Sequence, residues 1–176
     1  MYKDNTMTTD TENNLNETEL DADVGQGDEY LTFSLANEEY GVDILRVQEL
    51  RGWEPVTRVP NSPDYVKGVL NLRGAIVPVI DLRVRFNLPV EDYSSLTVVI
   101  VLSIKDKQDG HERIISVVVD EISDVVKAKL SDIQATPKFG SALDTEYISG
   151  LADAAGKMLM LLDVDTMLSI SDMQQL

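Results

Sequence analysis

After Asp28 the apolar residues fall in short runs broken by polar turns, a pattern that predicts strands rather than helices. "EYLTFSLANEEYGVDILRVQEL" (29–50) reads as strand, turn, strand, with the turn at Ala36-Asn37-Glu38. "LTVVIVLSI" (96–104) is a run of β-branched residues, "KDKQDGHE" (105–112) a polar hairpin loop, and "RIISVVVDEISDVVKAKL" (113–130) strand again. Helical periodicity is scarce. Ser62-Pro63 predicts the start of a short helix. In "DVDTMLSI" (163–170), Asp163 or Asp165 is placed to cap another.

One run breaks the rule. "KGVLNLRGAIVPVIDL" (67–82) is filled with Val, Leu and Ile, yet Asn71, Arg73 and Gly74 stand in its middle. An arginine is costly to bury without a partner. Comparing the chain with itself narrows its role. "YVKGVLNLRGAIVPVIDL" (65–82) aligns without a gap on "YISGLADAAGKMLMLLDV" (147–164), pairing Tyr65 with Tyr147, Gly68 with Gly150, Gly74 with Gly156 and Asp81 with Asp163. Upstream, "YGVDILRVQEL" (40–50) shares its apolar pattern with "ISVVVDEISDV" (115–125). The chain therefore reads as two homologous halves, about 29–95 and 96–172, each a small barrel-like unit, since closing a sheet removes its exposed edges. Gly74 and Gly156 fit turns that need positive φ, and Asp81 and Asp163 can cap the helix after each strand. Arg73 faces Ala155 and Asn71 faces Asp153 across the repeat, so the shared fold does not demand an arginine. Arg73 is either an ordinary solvated turn residue or a contact residue peculiar to the first half.

Charge and composition remove whole classes of function. The 176 residues suit one domain or two small ones. The formal charge is −16; residues 1–29 carry nine Asp/Glu and one Lys, and the remaining 22 acids oppose 14 bases. No basic stripe is present, which argues against nucleic acid and against an anionic membrane surface. No apolar run is long enough to span a bilayer, and no signal-peptide core precedes the body, so a cytoplasmic protein is expected. The first 27 residues hold too little apolar surface to offset ordering entropy, and are expected to be a disordered acidic tail.

Candidate chemistry is sparse. With no cysteine and one histidine, thiol catalysis and multi-histidine metal sites are excluded. His111 lies in the polar loop without the packing a general base needs. Asp163-x-Asp165 could pair on a hard cation, but carboxylates at a helix start are ordinarily caps. No phosphate-binding glycine loop or nucleophile elbow occurs. No catalytic role and no cofactor are assigned. A binding module fits better, and Trp53, in "RGWEPVTRVP" (51–60), is a candidate contact aromatic.

Taken together, "EEYGVDILRVQELRG", "KGVLNLRGAIVPVIDLR", "TVVIVLSI", "SVVVDEISDVV" and "DTEYISGLA" resemble the CheW family of chemotaxis coupling proteins, in order and over about residues 28 to 170. The resemblance implies a mainly β CheW-like domain over 28–172, made of two SH3-like five-stranded β-barrels packed around a shared hydrophobic centre, with short helices including one at the C-terminus. It implies a non-catalytic adaptor that joins chemoreceptor tips to the histidine kinase CheA, in two-component signalling arrays that further family copies can join as rings. It places Arg73, Asn71, Val47, Glu49, Val98 and Val99 on the receptor-facing surface. Gly68 falls at a position sensitive for partner binding and, with Trp53, is counted toward the kinase. A second kinase contact falls near "QATPKF", at Gln134, Lys138 and Phe139. Some family members carry Arg and Glu where this chain has Gln134 and Lys138. The loop 105–112 is also longer than in compact family members.

Other readings stay open on the residues alone. A family member with a receiver domain, or the kinase itself, needs far more chain than 176 residues. A small carbohydrate-active hydrolase with paired carboxylates would be expected to carry more aromatic platforms. An unrelated SH3-like peptide binder predicts an aromatic-rich groove, which the low aromatic count disfavours.

Overall fold

The computed structural model describes residues 27–137, 145–154 and 156–169. The expected acidic tail, apart from Gly27, lies outside the described residues, as do Lys138 and Phe139.

Among the described residues, ten strands form two antiparallel-dominated sheets of five. They are β1 (Asp28–Leu35), β2 (Glu38–Asp43), β3 (Val47–Gly52), β4 (Val66–Leu72), β5 (Ala75–Asp81), β6 (Val98–Lys105), β7 (Glu112–Val119), β8 (Glu121–Ala128), β9 (Ile148–Ala154) and β10 (Lys157–Leu162). Two single-turn helices, α1 (Leu82–Arg85) and α2 (Val164–Met167), follow β5 and β10. The turn after β1 is tighter than expected. Ala36 and Asn37 alone form it, both at positive φ, and Glu38 already belongs to β2. The helix expected at Ser62-Pro63 is absent. Ser62 Oγ donates to the Val59 carbonyl and Val66 N to the Pro63 carbonyl, closing a turn that leads straight into β4.

One sheet runs β8-β1-β2-β10-β9 and the other β3-β6-β7-β5-β4. This corrects the division at residues 95 and 96. Neither half builds a sheet by itself. The chain crosses between sheets after β2, through the 3-10 turn Ile44–Arg46, and crosses back between β7 and β8. Each sheet thus takes two consecutive strands from one half and three from the other. Apolar patterning reports which residues are inside a strand, but carries no mark of which sheet a strand joins.

The repeat itself is realised in detail. Parallel pairs join β5 to β7 and β10 to β2, with Val79 opposite Ser116 where Leu161 lies opposite Gly41. Tyr65 and Tyr147 carbonyls accept from Asp81 N and Asp163 N, both at 2.8 Å. Asp81 caps α1 through Arg83 N and Val84 N, and Asp163 caps α2 through Thr166 N.

Among the described residues, three apolar clusters follow from this arrangement. The largest lies between the sheets, where Phe33, Leu35 and Tyr40 of one meet Ile80, Ile100 and Val117 of the other. Two smaller ones fill the concave side of each curled sheet. Val79, Val99 and Val118 gather with Trp53, Val56 and Leu70 in one, and Ala128, Ala152, Leu159 and Leu161 with Tyr30 and Ile133 in the other. The result is two SH3-like subdomains around a shared centre, curled rather than fully closed.

Candidate functional site: the Arg73 hairpin

β4 and β5 pair down to Leu72 and Ala75, leaving Arg73 and Gly74 as a two-residue loop. Their φ values, 52° and 87°, are those of a type I′ turn, whose twist matches that of the flanking strands. Asn71 Oδ1 accepts from Gly74 N at 2.8 Å and fixes the turn. Arginine in the left-handed region costs about 1 kcal/mol, which glycine or asparagine would avoid. The local backbone therefore does not select it.

The Arg73 side chain is 83% exposed and reaches Glu49 of β3, with Nη2 3.2 Å from Oε2. Glu49 also stands 3.9 Å from Arg51 Nε. One carboxylate is thus flanked by two guanidinium groups, across the gap between the outermost strands β3 and β4. Ile76, cross-strand from Asn71, is 66% exposed beside the turn. An exposed pair of this kind contributes little stability, typically below about 1 kcal/mol. Its donors remain available to a carboxylate or carbonyl of another molecule, in the fork geometry only arginine provides.

The other candidates divide by burial. Asn71 is exposed within the turn, and Glu49 is half-buried. Val47 and Val98 are half-buried and pack on the central cluster. Val99 is 3% exposed, inside the β3–β7 subdomain opposite Arg51. It can act on a partner only by holding β6 against β3. Trp53 is half-buried and packs on Tyr93, ring centroids 4.2 Å apart, over the Val79, Val99 and Val118 cluster. Gly68 is buried with φ at 151°, and a Cβ there would lie 2.1 Å from the Thr57 carbonyl oxygen. Thr57 and Val69 exchange backbone hydrogen bonds at that crossing. Gln134 and Leu151 repeat the exchange beside Gly150. Gly68 therefore serves close backbone approach, and Gln134 is an exposed residue whose backbone does the same work in the other sheet.

Arg51 and Ile76 escaped the sequence reading. The signal for Arg51 was its two-residue spacing from Glu49, which puts both on one strand face. Ile76 offered no signal, because an apolar residue in a strand is read as inward-facing.

Several titratable groups elsewhere are held by local partners. Buried Asp81 accepts from Arg83 N and from the Tyr93 hydroxyl at 2.5 Å. Burial, and then that bond, push the Tyr93 phenol well above its usual range. His111 is exposed. Asp163 caps α2, and Asp165 pairs with Arg46. Among the described residues no three His, Asp or Glu side chains gather as a metal site, and no helix is long and apolar enough to cross a membrane.

The model of the CheW-like domain matches residues 29–172. The chain belongs to the CheW family. The chemotaxis protein CheW of Klebsiella aerogenes is 48% identical over 147 residues, covering 84% of this chain and 85% of that one. CheW of Bacillus subtilis is 31% identical over 150 residues, covering 85% and 92%. The crystal structure of the scaffolding protein TtCheW from Thermoanaerobacter tengcongensis superposes with a TM-score of 0.73 at 28% identity, over 84% of this chain and 91% of that one. The two exchanged sheets and their shared centre are thus a CheW architecture, and the role that goes with it is scaffolding in chemotaxis.

Proposed function

We propose that this CheW family member is a non-catalytic, cytoplasmic adaptor that couples chemoreceptors to the histidine kinase CheA, so that receptor state controls autophosphorylation. The observation that carries this reading is the Arg73 hairpin. It holds a charged guanidinium in the solvent at a backbone conformation that disfavours arginine, beside Glu49 and exposed Ile76. A receptor helix tip presents carboxylates and free carbonyls, which suit such a fork. In this proposal Arg73, Asn71 and Glu49 touch the receptor, while Val47, Val98 and Val99 hold the β3–β6 surface beneath them. Gly68 and Trp53 shape the kinase-facing side of the same subdomain, and Gln134, Lys138 and Phe139 form the second kinase contact. A scaffold of this kind shifts the kinase only by its differential affinity for the two kinase states.

The test is ATP turnover by CheA with receptor-containing membranes, with and without this protein. Strong stimulation that attractant suppresses is expected. Absence of stimulation with a cognate kinase and receptor would overturn the coupling role.

A further inference from the structure

Among the described residues two bidentate ion pairs join the halves, and the repeat shows that they are not copies of each other. At α2, Arg46 grips Asp165 with two bonds, Nη2 to Oδ2 at 2.7 Å and Nη1 to Oδ1 at 3.1 Å. Lys105 N adds a third to Asp165 at 2.7 Å. At α1, Arg83 grips Asp120 with Nε and Nη2, each 2.6 Å from a carboxylate oxygen, and also donates to the Pro89 carbonyl and to Glu91. In both places a residue in the first turn of a short helix is held to the segment where the chain crosses between sheets.

The signs are reversed. Arg83 and Asp165 occupy the same place in the repeat, as do Arg46 and Glu121. The first half therefore brings Arg46 and Arg83, and the second brings Asp165 with Asp120-Glu121. This matters because the halves share one backbone pattern and exchange strands through apolar contacts. Such contacts are tolerant of partner, since side chains of roughly the right size can be accommodated. A first half meeting the first half of another chain would set Arg83 against Leu45-Arg46. Two second halves would set Asp165 against Asp120-Glu121. Each self-pairing confronts like charges where the native pairing closes a bidentate bond.

We propose that these two clasps are a selectivity device: they let each half accept only its opposite, and so reject the pairing of like halves when two copies of the chain meet. Opposed charge discriminates chiefly by what it repels.

The test keeps the full chain. Arg46→Asp with Asp165→Arg retains an ion pair within the chain, but leaves each half with both signs and compatible with itself. Wild type and variant are refolded from urea at low and high protein concentration, and the mass distribution is read by light scattering on a sizing column. Expected is a dimer fraction in the variant roughly tenfold above wild type at high concentration, the shift of partition that one lost charge repulsion gives. Asp165→Asn weakens the clasp without reversing it. It should melt lower than wild type yet raise the dimer fraction less than the reversed variant does, because Arg83 still opposes Arg46 between two first halves. Should the reversed variant fail to regain native circular dichroism, the neutral variant Arg46→Gln with Asp165→Gln decides, since it removes the same repulsion and should also raise the dimer fraction. Dimer no higher than wild type in the variant that folds, or an equal rise in Asp165→Asn, would overturn the proposal.

Discussion

The two β-hairpins at 71–74 and 153–156 have one backbone plan and two surfaces. In each, a side-chain oxygen at the first position accepts from the glycine nitrogen at the fourth, Asn71 to Gly74 at 2.8 Å and Asp153 to Gly156 at 2.9 Å. In each, the residue after the glycine pair position by two is apolar and exposed, Ile76 in one and Met158 in the other. The difference lies in the cations. The repeat places Ala155 where Arg73 stands and Val126 where Arg51 stands, while an acid, Asp124, stays in the place of Glu49. The acid-and-turn framework is common property. The two arginines are confined to one subdomain, and what the fold does not require on both sides is the best guide to what a partner reads.

The comparison breaks most sharply at the glycines below the hairpins. A Cβ at Gly68 meets a backbone carbonyl oxygen, whereas at Gly150 the nearest atom, 2.4 Å away, is a methyl of Ile133 that can turn aside. Gly68→Ala should cost about 3 kcal/mol and Gly150→Ala about 1–2 kcal/mol, read from urea midpoints at constant slope. Equal losses would show that the two crossings are not distinguished by backbone against side chain. Next comes Arg73→Ala. Receptor-dependent kinase stimulation should fall about tenfold, as loss of a contact arginine does, while stability stays within about 0.5 kcal/mol. A large drop in melting temperature would instead make Arg73 structural.

A smaller effect separates the helix caps. The bonds from Thr166 and Lys107 outweigh burial and hold the Asp163 carboxyl below its usual 3.8. A carboxyl lowered on folding adds stability that is present above its unfolded pKa and is lost as pH falls through the folded one. Asp163→Asn should therefore be less stable than wild type at neutral pH, with the gap closing below pH 3.8 in thermal melts. The smallest effect is at the turns. Asn71→Ala and Asp153→Ala should each cost about 0.5–1.5 kcal/mol, and by similar amounts, because each removes one bond to a glycine nitrogen.

Much of this was legible in the residues. Periodicity gave the strands, and self-comparison located both hairpins, their glycines and the Asp81 and Asp163 caps, because these are local devices with local signals. Arg73 stood out because its partner in the repeat is alanine. The exchange of strands between halves was not legible, since pairing β1 with β8 depends on contacts some ninety residues apart that leave no mark on either segment. The burial of Val99 was hidden for a related reason. Neighbouring valines on a strand face opposite ways, and their sequence does not say which way is out.

The crossing of the chain also sets an order of events during synthesis. The sheet built from β3 to β7 is continuous in the chain from residue 47 to 119, so it can assemble once that stretch has left the ribosome. The other sheet needs β1 and β2, made first, and β8 to β10, made last. The earliest strands to emerge must therefore wait, with open edges, for the final fifty residues, and long-range pairing of this kind is slow and exposed to aggregation. A nascent-chain view of this scaffold begins with its second sheet.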